Sequence, residues 1–211
     1  MRTPGKTTLS PADERRFWEG VEQAKSFFMG QADVQKALEK LAGLLEAGGI
    51  PYAIIGAMAL NEFGYRRATV DVDVLLTADG LAAFKSAHLG RGYLERFPGS
   101  RSLRDAENRV DIDVVLSGDY PGDGQPKPVA FPDPATAAER GARIALLPLP
   151  KLVELKLASG MTAPHRLKDL ADVQELIRVL KLSDALADRL DPYVRARYLE
   201  LWRAVEGAGA E

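Results

Sequence analysis

Four aspartates stand as two spaced pairs in this chain. Asp71 and Asp73 flank Val72, and Asp111 and Asp113 flank Ile112. Residues i and i+2 of a strand project from the same face, so each pair places two carboxylates together. If the two strands are neighbours, three or four carboxylates share one patch. Like charges so close repel and shift one another's pKa, and a divalent cation relieves that repulsion. The chain has no Cys and only two His, His88 and His165, neither at metal-ligand spacing. An oxygen-only cluster of this kind suits Mg2+ or Mn2+. The chemistry it points to is phosphoryl or nucleotidyl transfer.

Other residues extend that reading. Gly56-Ala57 follows a short apolar run and opens a short helical stretch. A helix start offers free N–H groups and partial positive charge to a phosphate, and glycine lets an anion approach the backbone closely. Arg67 and Thr69 lead directly into the first acidic pair. Asp113 precedes a Val-Val-Leu run and so is anchored in a buried strand, while Asp111 becomes the active partner if a bulge intervenes. The third carboxylate is therefore Asp113 or Asp111. Lys156 falls in step with Leu149, Leu152 and Val153 at i, i+3, i+4 and i+7. It thus lies on the apolar face of a helix, where it either snorkels to solvent or reaches a phosphate as a compact point charge. Asp169 and Asp172 on the next helix are candidate partners for Lys156 or Arg166. Other nucleotide and nucleophile motifs fail. Gly5-Lys6-Thr7 lacks the upstream glycine and strand of a P-loop, and neither Gly-x-Gly-x-x-Gly nor Gly-x-Ser-x-Gly occurs.

The elements that must position these residues follow from periodicity and punctuation. Ser10-Pro11 with Glu14 starts a helix running to about residue 28. Val34, Leu38, Leu41 and Leu45 mark a second helix, ended by Gly48-Gly49. Residues 51–55 form a short buried strand, and 70–76 and 109–116 form two strands that alternate apolar with acidic. A helix follows Thr77, and 92–97, 101–105 and 143–147 are weaker strand candidates. Residues 117–134 form a long Gly/Pro/Asp-rich loop carrying Tyr120 and Phe131, and long loops in compact domains are often functional. From Pro150 the chain reads as helical to about residue 206. The order predicts an α/β (α+β) core, a mixed sheet flanked by helices, with a helical C-terminal part. Its division is a tail and helix over 1–30, a core over 31–148 and a helical region over 149–211.

Composition sets the outer limits. The 211 residues are 46% hydrophobic and 27% charged, with a net charge of −2 and a pI of about 5.8. No global basic field favours nucleic acid or anionic membrane, though a local basic groove is compatible with these totals. Without Cys there is no disulfide framework and no Cys-based zinc site. The start has no apolar signal region, and no apolar run reaches the ~20 residues of a membrane span. A cytoplasmic protein without membrane partners is expected.

Taken together, Tyr52-Ala-Ile-Ile-Gly56-Ala57 and Arg67-Ala-Thr69-Val-Asp71-Val-Asp73 resemble the nucleotidyltransferase superfamily that includes DNA polymerase β. Within it the chain is most similar to the AbiEii-like and minimal nucleotidyltransferase branch. Lys151-Leu-Val-Glu-Leu-Lys156 and Arg166-Leu-Lys-Asp169-Leu-Ala-Asp172 share that resemblance, which spans about residues 50–180. One departure is Ala57, where the family has Gly or Ser, so a hydroxyl contact to phosphate is lost. The resemblance implies a nucleotidyltransferase fold. It implies that Asp71, Asp73 and Asp113 bind Mg2+ (or Mn2+), and that Gly56 and Ala57 hold the NTP phosphates. Lys156 would steady those phosphates, Arg67 and Thr69 would belong to the same NTP-binding site, and an acceptor hydroxyl would attack the α-phosphate. The acceptor implied is a tRNA end, a protein hydroxyl or a small molecule such as an aminoglycoside or lincosamide. It also admits a toxin–antitoxin or phage-defence role. In that case the chain would be the antitoxin, a binding module for a partner toxin, since it lacks the Arg-x4–6-His pattern of HEPN toxins.

Overall fold

The computed structural model describes residues 32–208. The N-terminal helix expected from Ser10-Pro11 lies outside the described residues. Helix α1 spans 32–47 and buries Val34, Leu38, Leu41 and Leu45, the stripe its periodicity requires. Gly49, at φ 62°, follows it in the left-handed conformation that glycine adopts without steric penalty. Strand β1 (Tyr52–Ile54) and helix α2 (Gly56–Glu62) come next, then β2 (Asp71–Leu76) and α3 (Ala78–His88). Thr77 caps α3 by accepting a hydrogen bond from the Gly80 N–H at 3.0 Å. Strands β3 (Tyr93–Glu95), β4 (Leu103–Asp105) and β5 (Val110–Leu116) follow, then the short helix α4 (Pro134–Ala137), β6 (Glu139–Arg140) and β7 (Ala145–Leu146).

These strands form one seven-stranded mixed sheet in the order β3-β4-β5-β2-β1-β7-β6. The β2–β5 pair is parallel and in register, with Asp71 opposite Asp111 and Asp73 opposite Asp113. Both strands alternate strictly here. Val72 and Ile112 are fully buried on one face, and the aspartates stand on the other. The fold therefore supplies the neighbouring acidic strands that the sequence pattern requires.

The helical C-terminal part consists of three helices. Helix α5 (Leu149–Thr162) stops before Pro164, whose ring cannot continue it. Helix α6 (Leu167–Leu180) ends at Lys181 in the left-handed conformation, and α7 (Pro192–Ala208) begins after a 3-10 turn. Strand β6 is two exposed polar residues paired with β7, and nothing in its composition marks it. A single hydrophobic cluster joins Leu41 of α1, Ile54, Val74 and Ile112 of the sheet, Val153 of α5, Val173 of α6 and Tyr198 of α7. The molecule is thus a mixed α/β fold whose C-terminal helices share the core of the sheet. Among the described residues no helix is long and apolar enough to cross a membrane.

Candidate functional site

A cavity of about 400 Å3 opens over the acidic face of β2 and β5. Asp71, Asp73 and Asp113 form its floor. Gly56 and Ala57 close one end, and the loop residues Tyr120, Pro121 and Phe131 form a wall. The opposite wall comes from α5 and α6 through Lys156, Ser159, Arg166 and Asp169. Arg67 and Thr69 also line it. Asp111 does not. Although it shares the face of Asp113, its carboxylate accepts a hydrogen bond from Arg104 Nη1 at 2.8 Å and lies 3.9 Å from Arg96 Nη2. The structure thus places Asp113, the aspartate that the Val-Val-Leu run favoured, on the cavity and leaves the alternative, Asp111, off it.

The turn from β1 into α2 sets the tightest constraint. Gly56 has φ 64° and presents the bare side of its backbone to Asp73. A Cβ there would lie 1.9 Å from Asp73 Oδ2. The Ile55 N–H donates to the Asp73 carbonyl at 3.1 Å, which locks strand and turn together. Only glycine permits both the positive φ and this close approach. No side chain caps α2, and Gly56 and Ala57 at its start line the cavity.

Electrostatics single out Asp73. Burial raises its pKa from 3.8 to about 6, and repulsion from Asp71 and Asp113 adds to the effect, while Lys156 and Arg166 oppose it. Thr69 Oγ1 donates to the Asp71 carboxylate, which fixes the orientation of that side chain. Asp113 accepts a hydrogen bond from Arg96 Nη1 at 3.3 Å.

The cationic wall is a network. Lys156 Nζ donates to Asp169 Oδ1 at 3.0 Å and to Asp172 Oδ2 at 2.8 Å. Ser159 Oγ and Arg166 Nε both donate to Asp169 Oδ2, at 2.7 and 2.8 Å. Arg67 Nη1 donates to Asp172 Oδ2 at 2.5 Å. These contacts hold the Asp169 carboxyl below the usual carboxylate range against the opposing effect of its burial. Lys156 is therefore neither a snorkelling surface lysine nor an isolated phosphate ligand. Two buried carboxylates clamp it at the cavity wall. Arg67 plays both parts that its position allows, since it pairs with Asp172 and lines the cavity.

Sequence reasoning did not find Arg166, Ser159 or Lys168 as cavity residues. Ser159 lies one helical turn after Lys156, and Arg166 precedes Asp169 by three residues, so their spacing carried a faint signal. Lys168 carried none. The long loop is docked rather than loose. The Gly118 N–H donates to the Phe131 carbonyl at 2.8 Å, and the Phe131 N–H donates to the Asp119 carbonyl at 2.9 Å. Gly122 packs so closely on α5 that a Cβ would meet Thr162 Oγ1 at 2.3 Å.

Oxygen donors, mutual repulsion and a glycine turn against Asp73 fit a hard divalent cation. Among the described residues no three acidic or histidine side chains are already closed into a ligand cage.

No family model and no curated protein matches the chain. Solved structures similar at a distance include two from Helicobacter pylori. One, "putative nucleotidyltransferase from H. pylori", is 16% identical with a TM-score of 0.46, covering 83% of this chain and 93% of that one. The other, JHP933 from Helicobacter pylori, is 14% identical with a TM-score of 0.46, covering 83% and 90%. Similarity this distant leaves the reaction to be argued from this chain's own residues.

Proposed function

We propose that the protein is a metal-dependent nucleotidyltransferase of the polymerase β-like superfamily, in its AbiEii-like branch, that transfers a nucleoside monophosphate from an NTP to an acceptor hydroxyl. The observation that carries this reading is the parallel, in-register pairing of β2 with β5. It sets Asp113 beside Asp73 on the floor of a cavity that ends at the Gly56 turn.

Asp71, Asp73 and Asp113 would hold Mg2+ or Mn2+. When bound, the cation neutralises triphosphate charge and the charge that develops at the transferring phosphorus. The N–H groups at the start of α2 bind the terminal phosphates. Lys156, fixed by Asp169 and Asp172, supplies positive charge from the opposite wall, and Arg166 and Arg67 reinforce it. The acceptor oxygen forms a bond to the α-phosphorus as the bond to the bridging oxygen breaks. Pyrophosphate leaves with that electron pair, and Asp113 takes the acceptor proton.

Calorimetric titration of each NTP with Mg2+ tests this on wild type and on Asp71→Asn/Asp73→Asn. Metal-dependent binding of an NTP, lost in the variant, is expected. No binding of any NTP by the wild type would refute it and leave a binding module, such as an antitoxin that neutralises a partner toxin. If NTP binds, incubation with labelled NTP and candidate acceptors identifies which hydroxyl is modified.

A further inference from the structure

The long loop between β5 and α4 takes no part in the chemistry above, yet it supplies the aromatic wall of the cavity. Among the described residues that line the cavity, the aromatic ones are Tyr120 and Phe131. Backbone hydrogen bonds among Gly118, Asp119 and Phe131 bring the two arms of the loop together, and no helix or strand lies between them. A loop closed in this way keeps its shape through its own side chains. Two points fix it to the body of the protein. Val129 is buried in the core, and Gly122 rests against Ser159 and Thr162 of α5.

Lys127 is the link inside the loop. Its side chain is only 5% exposed, and lysine is almost never buried unless it is paired. Its Nζ donates to the Pro121 carbonyl at 2.7 Å and to Asp123 Oδ1 at 2.6 Å. The same Nζ lies over the Tyr120 ring, 5.7 Å from its centroid, within the reach of a cation–π contact. One ammonium thus ties the returning arm of the loop to residues 120, 121 and 123 of the outgoing arm. All of these partners belong to the loop, and two of them, Tyr120 and Pro121, line the cavity. A desolvated ion pair adds little net stability. What Lys127 provides is a fixed place for the wall.

We propose that Lys127 is a positioning residue for nucleotide selection: by clamping Tyr120 and Pro121 it holds the aromatic wall in the shape that favours a nucleoside triphosphate over a bare triphosphate chain. This assignment rests on the nucleotidyl-transfer reading and adds to it the element that senses the nucleoside half of the donor. A nucleoside triphosphate has a charged half and an aromatic half. The carboxylate floor with its cation, the start of α2 and the Lys156 wall suit the charged half. Tyr120 and Phe131 are the ring surfaces left for the other half, and a base stacks on such a ring whatever its identity. A wall already in place spares the ligand the cost of ordering it. Without the ammonium, the loop ends and Val129 still hold the fold, while Tyr120 loses the contact that fixes its ring.

Calorimetry on the full chain with Mn2+ tests this, with each NTP in one arm and inorganic tripolyphosphate in the other. Lys127→Met should weaken binding of the NTP that wild type prefers by about two- to tenfold and leave tripolyphosphate within about twofold. Tyr120→Ala should weaken the same NTP by about tenfold, again sparing tripolyphosphate. The double variant Tyr120→Ala/Lys127→Met should bind no more weakly than Tyr120→Ala alone, because the clamp acts through that ring. Amide hydrogen exchange should quicken over residues 118–131 in Lys127→Met and stay unchanged in β2 and β5. Equal weakening of NTP and tripolyphosphate, additive losses in the double variant, or NTP binding that Lys127→Met leaves intact overturns the proposal and spares the transferase reading. Absence of NTP binding by wild type overturns both. Should Lys127→Met not fold, Tyr120→Ala decides: a loss shared by tripolyphosphate, or no loss, overturns the proposal.

Discussion

Replacing Asp73 with Asn should make the protein more stable while removing its NTP binding. In the folded protein the Asp73 carboxyl has a pKa of about 6, against an ordinary 3.8, first because it is buried and then because Asp71 and Asp113 face it. A raised folded pKa means that protonation stabilises the fold. That stabilisation is fully present below about pH 4, falls as pH rises, and is gone above about pH 6. The interval between the two values, at about 1.4 kcal/mol per pH unit, amounts to about 3 kcal/mol. Asn imitates the protonated carboxyl at every pH. In metal-free buffer at pH 8 the variant should therefore exceed wild type by up to about 3 kcal/mol, and near pH 4 the two should coincide.

Urea denaturation followed by circular dichroism in EDTA, at several values between pH 4 and 8, measures this directly. Added Mg2+ should narrow the difference at pH 8, because a cation that binds the folded carboxylates stabilises wild type by mass action. Equal stability of the two proteins at pH 8 would refute the reasoning. So would a stability difference that does not change with pH, which would trace to packing and not to charge.

Other substitutions probe the same frame. Gly56→Ala should destabilise the fold by about 1–3 kcal/mol through the strained positive φ, and should abolish Mn2+-dependent NTP binding because the new methyl lies where Asp73 Oδ2 now sits; urea denaturation and Mn2+ titration report the two effects. Lys156→Met leaves Asp169 and Asp172 short of a buried partner and should cost about 3 kcal/mol, the low end for a broken buried pair, since Arg166 and Arg67 still reach them. Adding Asp172→Asn to that variant should recover part of the loss in the same denaturation assay.

The alternation of Val and Ile with Asp in 70–74 and 110–114 shows each strand and its acidic face, because burial of one face enforces a period of two. The turn at Gly56 is equally legible from a glycine that ends an apolar run. The Val-Val-Leu run after Asp113 favours it over Asp111, but what holds Asp111 off the cavity is not legible. It depends on Arg104 and Arg96, brought to Asp111 only when β4 pairs antiparallel with β5. The same limit applies to Lys156. Its helical phase places it on a buried face, but its ion partners come from the next helix, whose approach is set by close packing such as Gly160 against Leu170. Strand β6 was missed because a two-residue strand has no period to read.

Charge balance explains why the site needs the C-terminal helices. The sheet alone would carry Asp71, Asp73 and Asp113 on a face with no lysine or arginine on β1 or β2. Lys156 and Arg166 lower the cost of ionised Asp73 from across the cavity, yet they are themselves tied to Asp169 and Asp172. The wall thus reduces the repulsion without collapsing onto the floor. A lysine free of Asp169 and Asp172 could swing down and neutralise Asp73, closing the space between them. Held on its own helix pair, it leaves a cavity with carboxylates below and cations opposite. That arrangement suits a ligand that carries both an attached cation and several phosphates, and it is why we regard Asp169 and Asp172 as positioning residues for Lys156.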